Sequence, residues 1–376
     1  MELYNKKVLM VAQYAAPYEG NFLLSLKNLE HELRERFNAS TAYVFPKDAQ
    51  KRGWFELFAQ KHTTFLTINE VASSVDQLSE IISNYTPDII HTHFDGYDMP
   101  VAKAIKKSGL KDVKIVWHLH DALGFVPNVV KKAYQCLYYI RHYSYYAKNV
   151  NTIAVSDEVR RFTNRFHRIL RFTNFNNNKT IPNGIDLNRL ESTARKPNGG
   201  GYKLLVLSGR NVQKRADLLM KAGLELESRG NTNFRILVVQ GTDTLDVINE
   251  VFGDNIPSWL ELVPQNHNIT EIFARADCFV STSVAETFSY AICEASIYGL
   301  PVIQSDIEST LWNKDNPSTF LFPSRDIISL ADTIEKVMRI PNEDMAEACA
   351  ITKRNNMSKY GISTWCDNII EYYKNL

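Results

Sequence analysis

Paired cysteines are missing from this sequence. Its five, Cys136, Cys278, Cys293, Cys349 and Cys366, are odd in number, widely scattered and never arranged as C-x-x-C. That excludes a disulfide-built scaffold and a cysteine zinc site, and it suits reduced thiols in a cytoplasmic protein. No run of 18 apolar residues occurs, so no helix is expected to span a bilayer. Behind Lys6 and Lys7 the apolar run reaches only from Val8 to Ala12, which reads as a first strand and not as a signal peptide. No G-x-G-x-x-G follows any strand, which disfavours a nicotinamide-dependent dehydrogenase. Nucleic acid is not expected either. The formal net charge is only +1, and the chain carries no RRM, KH, helix-turn-helix or zinc-finger signature. Internal tandem repeats are absent too.

What is present suits a globular chain. The 376 residues, 44% hydrophobic and 23% charged, are enough for two ordinary domains. The near-zero net charge conceals an asymmetry. Residues 1–190 hold 25 Lys and Arg against 18 Asp and Glu, whereas 191–376 hold 18 against 24. Most of the excess lies in 101–190, with 16 basic and 5 acidic residues. Halves of opposite charge point to two domains with different partners. Short apolar runs alternate with helical patterns throughout, beginning with a strand at Lys7–Gln13 and an amphipathic helix at Phe22–Phe37. Gly20, just before that helix, is a turn residue. The segment Pro46–Thr63 follows neither period.

One stretch organises the rest: Phe279–Ser305, FVSTSVAETFSYAICEASIYGLPVIQS. It reads as a strand end, a small polar loop from Thr282 to Thr287, a helix from Phe288 to Tyr298 closed by Gly299, and a new strand at Pro301–Ile303. Ligands of open α/β sheets sit outside the carboxyl ends of the strands. Unpaired amides at the helix start, near Thr287, Phe288, Ser289 and Tyr290, would favour an anion such as a diphosphate. Glu286 precedes the helix and Glu294 lies two turns in, placed to contact a sugar and a ribose diol respectively. Taken alone, the two acids read more readily as a solvated loop acid and a surface helix acid.

Glu286 and Glu294, followed by Ala295, Gly299, Pro301 and Val302, resemble the donor-site signature of the retaining glycosyltransferases of family 4. Two further segments carry the resemblance. Pro182–Asn183–Gly184–Ile185–Asp186 matches a turn at the end of that family's first domain, and Gly209 to Lys214 matches the start of its second. The resemblance implies an α/β architecture of two facing Rossmann-like domains, the B-type glycosyltransferase fold, with a C-terminal helix crossing back. Residues 1–190, completed by 357–376, would bind the acceptor, and 200–356 the nucleotide-sugar. It further implies that Gly20 approaches the diphosphate, that Arg210 and Lys214 neutralise it, that Thr287, Phe288 and Ser289 contact it through amides, and that Glu294 holds the ribose. Glu286 and His120 would position the transferred sugar. The family usually spaces its Lys five residues after the Arg. Here Lys214 stands four residues after Arg210 and Arg215 stands five after; aligning the helix Ala216–Leu219 favours Lys214 with a one-residue deletion, with Arg215 as the substitute. Thr287–Phe288–Ser289–Tyr290 stands where many members have Gly-Phe-Gly, and Asp306 to Trp312 where they carry glycines. Both changes crowd the donor pocket.

The reaction so implied is retaining transfer from a nucleoside-diphosphate sugar, UDP-linked, to a glycan, lipid-linked or protein acceptor in cell-surface polysaccharide or glycoconjugate synthesis, with no metal and no cofactor. An inactive partner subunit and a nucleotide-sugar epimerase or phosphorylase of the same architecture are the alternatives. Four histidines, His91, His93, His118 and His120, sit at two strand ends. Without acidic or cysteine partners at zinc-site spacing they suggest no metal, and His91 and His93 read as packing residues. Lys131–Lys148 carries six tyrosines among Lys131, Lys132, Arg141 and Lys148. Arg160–Arg171 interleaves five arginines with Phe162, Phe166, Ile169 and Leu170. This pattern suits an amphipathic helix, and it suggests peripheral contact with an anionic membrane surface on its cytoplasmic side.

Overall fold

The computed structural model describes residues 1–59, 63–66, 71–120, 129–190, 201–207, 213–265 and 268–376. The chain divides into two compact units, Met1–Gly184 with Ile362–Leu376, and Ile185–Gly361.

The first unit holds seven strands: β1 (Lys7–Ala12), β2 (Ser40–Pro46), β3 (Thr63–Leu66), β4 (Ile89–His93), β5 (Lys114–Leu119), β6 (Val150–Ala154) and β7 (Asn178–Thr180). They form one parallel sheet in the order β3-β2-β1-β4-β5-β6-β7. Helices cover both faces, so central strands are apolar on both sides: Val8, Leu9, Met10 and Val11 are fully buried. On one face the helix Gly20–Phe37 packs Leu23, Leu26, Leu29 and Leu33 at helical spacing. Beside it lies the last helix, Ile362–Lys374, whose Trp365, Ile369, Tyr372 and Tyr373 enter the same core. The opposite face buries Leu9, Val11, Leu78, Ile82 and Val101. Within 46–63, where no period could be read, the chain makes three single turns, Lys47–Lys51, Gly53–Phe55 and Glu56–Ala59, before β3. Elements of one turn are too short to show a repeat.

The second unit is a six-stranded parallel sheet of β8 (Tyr202–Leu207), β9 (Phe234–Val239), β10 (Leu260–Val263), β11 (Cys278–Ser281), β12 (Val302–Ser305) and β13 (Thr319–Phe322). Its order is β10-β9-β8-β11-β12-β13. The order reverses between β8 and β11, and in such sheets the crevice at the reversal receives the ligand. The helix Asn342–Tyr360 ends at Gly361, which separates it from Ile362–Lys374. Among the described residues no helix is long and apolar enough to cross a membrane.

Candidate active site

At the carboxyl ends of β8 and β11 a cavity of about 270 Å³ opens, lined by Leu207, Lys214, Thr282, Ser283, Ser289 and Ala291 among others. Its floor is a loop whose small hydroxyls do the holding. Thr282 Oγ1 donates to the Lys214 carbonyl at 2.8 Å, and the Val284 amide donates to the Gln213 carbonyl at 2.7 Å. Ser305 Oγ, from the end of β12, donates to the Ser283 carbonyl. Two segments about 70 residues apart in sequence, 213–214 and 282–286, are thereby stapled side by side.

The staple brings two charged groups together. Lys214 Nζ donates to Glu286 Oε1, and Ser283 Oγ donates to the same oxygen at 2.7 Å. The Glu286 side chain is only 11% exposed and that of Lys214 is 35% exposed. The lysine tip therefore remains open to a ligand. Arg215 is occupied differently. Its backbone takes a left-handed conformation (φ +48°) ahead of the helix Ala216–Ser228. Its guanidinium grips Asp217 in that helix's first turn at 2.7 and 2.9 Å. Of the two cations the sequence left open, Lys214 is the one that lines the cavity.

The helix expected from Phe288 begins instead at Tyr290. Ser289 is left-handed (φ +65°), and Phe288 is drawn into the core. Its ring stacks on Trp312 (centroids 5.2 Å apart, 16° between planes), and Trp312 Nε1 donates to the Phe288 carbonyl at 2.9 Å. Tyr360 closes the trio, edge-on to Trp312 at 4.7 Å. The 306–312 segment, which stands where the family carries glycines, thus braces the loop through Trp312. No side chain caps the start of the helix Tyr290–Tyr298, and no acid stands in its first turn. The partial positive charge of that end is available beside Ser289. The helix closes at Gly299 (φ +107°), as its sequence suggested. Asn356 steadies it from behind, donating to Ser296 Oγ at 2.8 Å and Asn313 Oδ1 at 3.1 Å.

Glu294 faces Arg189 at 3.9 Å. Nothing in the sequence linked these two residues, which are far apart along the chain. Thr287 stands in the loop ahead of Phe288. Arg210 lies outside the described residues.

In the first unit, His120 follows directly on β5 and Gly20 opens the first helix. Gly20 has φ +55°, a backbone conformation strained for other residues. The four histidines occupy one face of adjacent strands, because β4 and β5 pair in parallel with His93 opposite His118. They form two layers. His91 and His118 are nearly coplanar (5°), with Nε2 and Nδ1 3.2 Å apart. His93 Nδ1 lies 3.2 Å from His120 Nε2. The layers stack at 4.3 Å for His91 on His93 and 4.5 Å for His118 on His120. Tyr373, from the last helix, meets His91 Nδ1 at 2.6 Å, and Phe94 stacks on His120 at 4.6 Å. Burial pushes the imidazoles of His91 and His120 down from 6.5 to about 3, and those of His93 and His118 well down. Neutral imidazoles result. His91, His93 and His118 each bring one nitrogen within 4.8 Å of the others, a grouping that could hold a metal. The bonds to Tyr373 and between rings already orient them without an ion.

Two family models match the chain: Glycosyltransferase Family 4 over residues 26–189, and Glycosyl transferases group 1 over residues 202–339. The chain is related to the glycosyltransferases of the B-type fold. Solved glycosyltransferase structures agree over the full length. A glycosyltransferase from Rickettsia africae is 17% identical, with 99% of each chain covered and a TM-score of 0.76. HepE of Anabaena, solved in complex with UDP and glucose, is also 17% identical, covering 99% of this chain and 100% of that one at a TM-score of 0.77. Sucrose-phosphate synthase from Thermosynechococcus elongatus is 15% identical, with 98% of each covered and a TM-score of 0.77. At these identities the likeness establishes the fold. Among curated proteins none matches the chain.

Proposed function

We propose that the chain is a retaining, metal-independent glycosyltransferase of the family 4 type, which moves a sugar from a UDP-linked donor to a saccharide, lipid-linked or protein acceptor in cell-surface glycoconjugate synthesis. The observation that carries this reading is the contact of Lys214 with Glu286 above the cavity at the reversal of the second sheet. The second unit is the donor-binding domain and the first the acceptor-binding domain, and the protein works in the cytoplasm. The fold neighbour solved with UDP and glucose supports the choice of UDP.

In this reading Glu286 holds Lys214 ready before the donor arrives. A diphosphate entering the cavity offers the ammonium a stronger anion, and Lys214 turns to it, with Arg210 and the amides of Phe288 and Ser289 completing the cradle. Glu286, released from the lysine, accepts hydrogen bonds from the sugar hydroxyls. Glu294 accepts from the ribose diol, and its neighbour Arg189 fixes its rotamer. His120, neutral because it is desolvated, hydrogen-bonds the sugar as a polar contact, not as an acid. No carboxylate stands as a nucleophile in this set, so the acceptor attacks on the face the diphosphate leaves.

Calorimetric titration of UDP, GDP and ADP tests the reading. UDP should bind the wild type and bind Glu294→Ala about 10–100-fold more weakly. Transfer from a labelled UDP-sugar should persist in excess EDTA. Absence of binding by all three nucleotides would favour an inactive partner subunit.

A further inference from the structure

The donor site leaves the basic aromatic segment of the first unit unused. Residues 129–172 hold nine Lys and Arg against two acids, Asp157 and Glu158. The same stretch supplies eight of the 16 exposed large hydrophobic side chains found among the described residues. Scattered singly these would mean nothing, but hydrogen bonds gather four of them. The Leu170 amide donates to Ser144 Oγ at 2.8 Å, and Arg171 reaches the carbonyls of Ser144 and Tyr145 at 2.9 and 3.0 Å. The end of the helix Asp157–Arg171 is thus pinned beside Tyr145. Phe172 (84% exposed), Tyr145 (64%), Leu170 (53%) and Ile169 (43%) project from this one corner.

The helix buries its other side. Val159, Thr163, Phe166 and His167 face the core, and Phe162 and Phe166 pack against Tyr139 at 5.2 and 5.4 Å. The outward arginines, Arg165 and Arg168, are exposed. Among the described residues their guanidinium groups have no ion pair. No Asp or Glu occurs between Glu158 and Asp186 to neutralise them. Exposed apolar tips ringed by unopposed cations match a surface that offers hydrocarbon behind a layer of negative charge.

We propose that this corner, built on Tyr145, Ile169, Leu170 and Phe172 with Arg165 and Arg168, docks the protein on an anionic lipid surface. The apolar tips enter the boundary of the acyl chains and the guanidinium groups pair with phosphates of the headgroups. The proposal stands apart from the donor-site reading, because vesicle binding requires no nucleotide and no catalysis.

Sedimentation of the full chain with lipid vesicles tests it. Vesicles of phosphatidylcholine with phosphatidylglycerol should carry the protein down, vesicles of phosphatidylcholine alone should not, and rising salt should release it. Arg165→Gln with Arg168→Gln should weaken binding roughly tenfold or more, and Leu170→Glu with Phe172→Glu should abolish it. All four positions are exposed, so unchanged melting temperatures should show that both variants fold. Equal sedimentation with both vesicle types, or undiminished binding by either variant, overturns the proposal. So does a dimer that dissociates on Phe172→Glu without vesicle binding, which would assign the corner to a second copy. Binding to RNA that survives the Leu170 and Phe172 changes overturns it as well.

Discussion

The two units place quite different chemistry at the carboxyl ends of parallel sheets wound in the same order. At the ends of β4 and β5 the polar groups are four neutral imidazoles stacked on one another and on Phe94, bonded in pairs and to Tyr373, with His93 Nε2 and His118 Nε2 buried and unpartnered. At the ends of β8 and β11 they are small hydroxyls and one ion pair, arranged around open space. A closely stacked, buried set of rings leaves little room for a ligand. One whose lysine rests on a displaceable carboxylate is set to exchange partners. On the proposed reading the anion binds in the second unit, and the buried imidazoles make the first unit the acid-sensitive one.

Substitutions at the ion pair should expose the contrast most strongly. Lys214→Ala removes the cation that the proposed mechanism turns to the leaving diphosphate and should lower turnover by about 10²–10³-fold, with little change in melting temperature. Single-turnover rates on a UDP-sugar would measure it. The same change at Arg215, already committed to Asp217, should cost no more than a few-fold. Equal losses at the two positions would remove the distinction drawn between them.

Acid should next separate the units. The imidazoles of His91 and His120 are neutral in the folded protein down to about pH 3 but take up protons near 6.5 once unfolded. Below about 6.5 the unfolded chain binds more protons, so stability falls as pH drops towards 3, by up to about 1.4 kcal/mol per pH unit for each such histidine. Chemical denaturation from pH 7 to 4 should therefore show a steep loss, followed by a probe in the first unit. His118→Gln should flatten that slope, and a variant slope equal to wild type would take the stack out of the account.

Ribose contact should come third. Glu294→Ala should weaken UDP about 10–100-fold, the value of one or two charged hydrogen bonds. The smallest expected effect is at the brace. Trp312→Ala keeps every ligand contact but releases Phe288 and its loop, and should cost about 2 kcal/mol in stability and a few-fold in UDP affinity. An intact affinity with lost stability would show that the brace serves the fold alone.

Much of this was legible in the residues. Parallel strands buried on both faces are continuous apolar runs, and Val8–Ala12 or Cys278–Ser281 can be read on sight. The loop before the helix was legible through Glu286 and the hydroxyls around it. The helix start was not. Side chains at Phe288 and Ser289 fit helical spacing, and only the left-handed turn at Ser289 moves the start to Tyr290. Neither were the long-range partners. Arg189 with Glu294 and Tyr373 with His91 are joined by topology, and no local pattern announces them. The placement of Lys214 as against Arg215 fell between, since their spacing is ambiguous and the left-handed backbone at Arg215 turns its side chain to Asp217 while Lys214 lines the cavity.

The last helix of the chain completes the first unit, contributing Trp365, Ile369, Tyr372 and Tyr373 to a core begun by Val8. During synthesis the ribosome delivers these residues only after the whole of the second unit. Until they emerge, His91 has no Tyr373 to meet, and the face of the sheet they cover stays open to water. The second unit, a continuous segment, can fold while the first still waits. The unit begun first is therefore completed after the second, and the nascent chain carries an exposed apolar face until Ile362–Lys374 emerges.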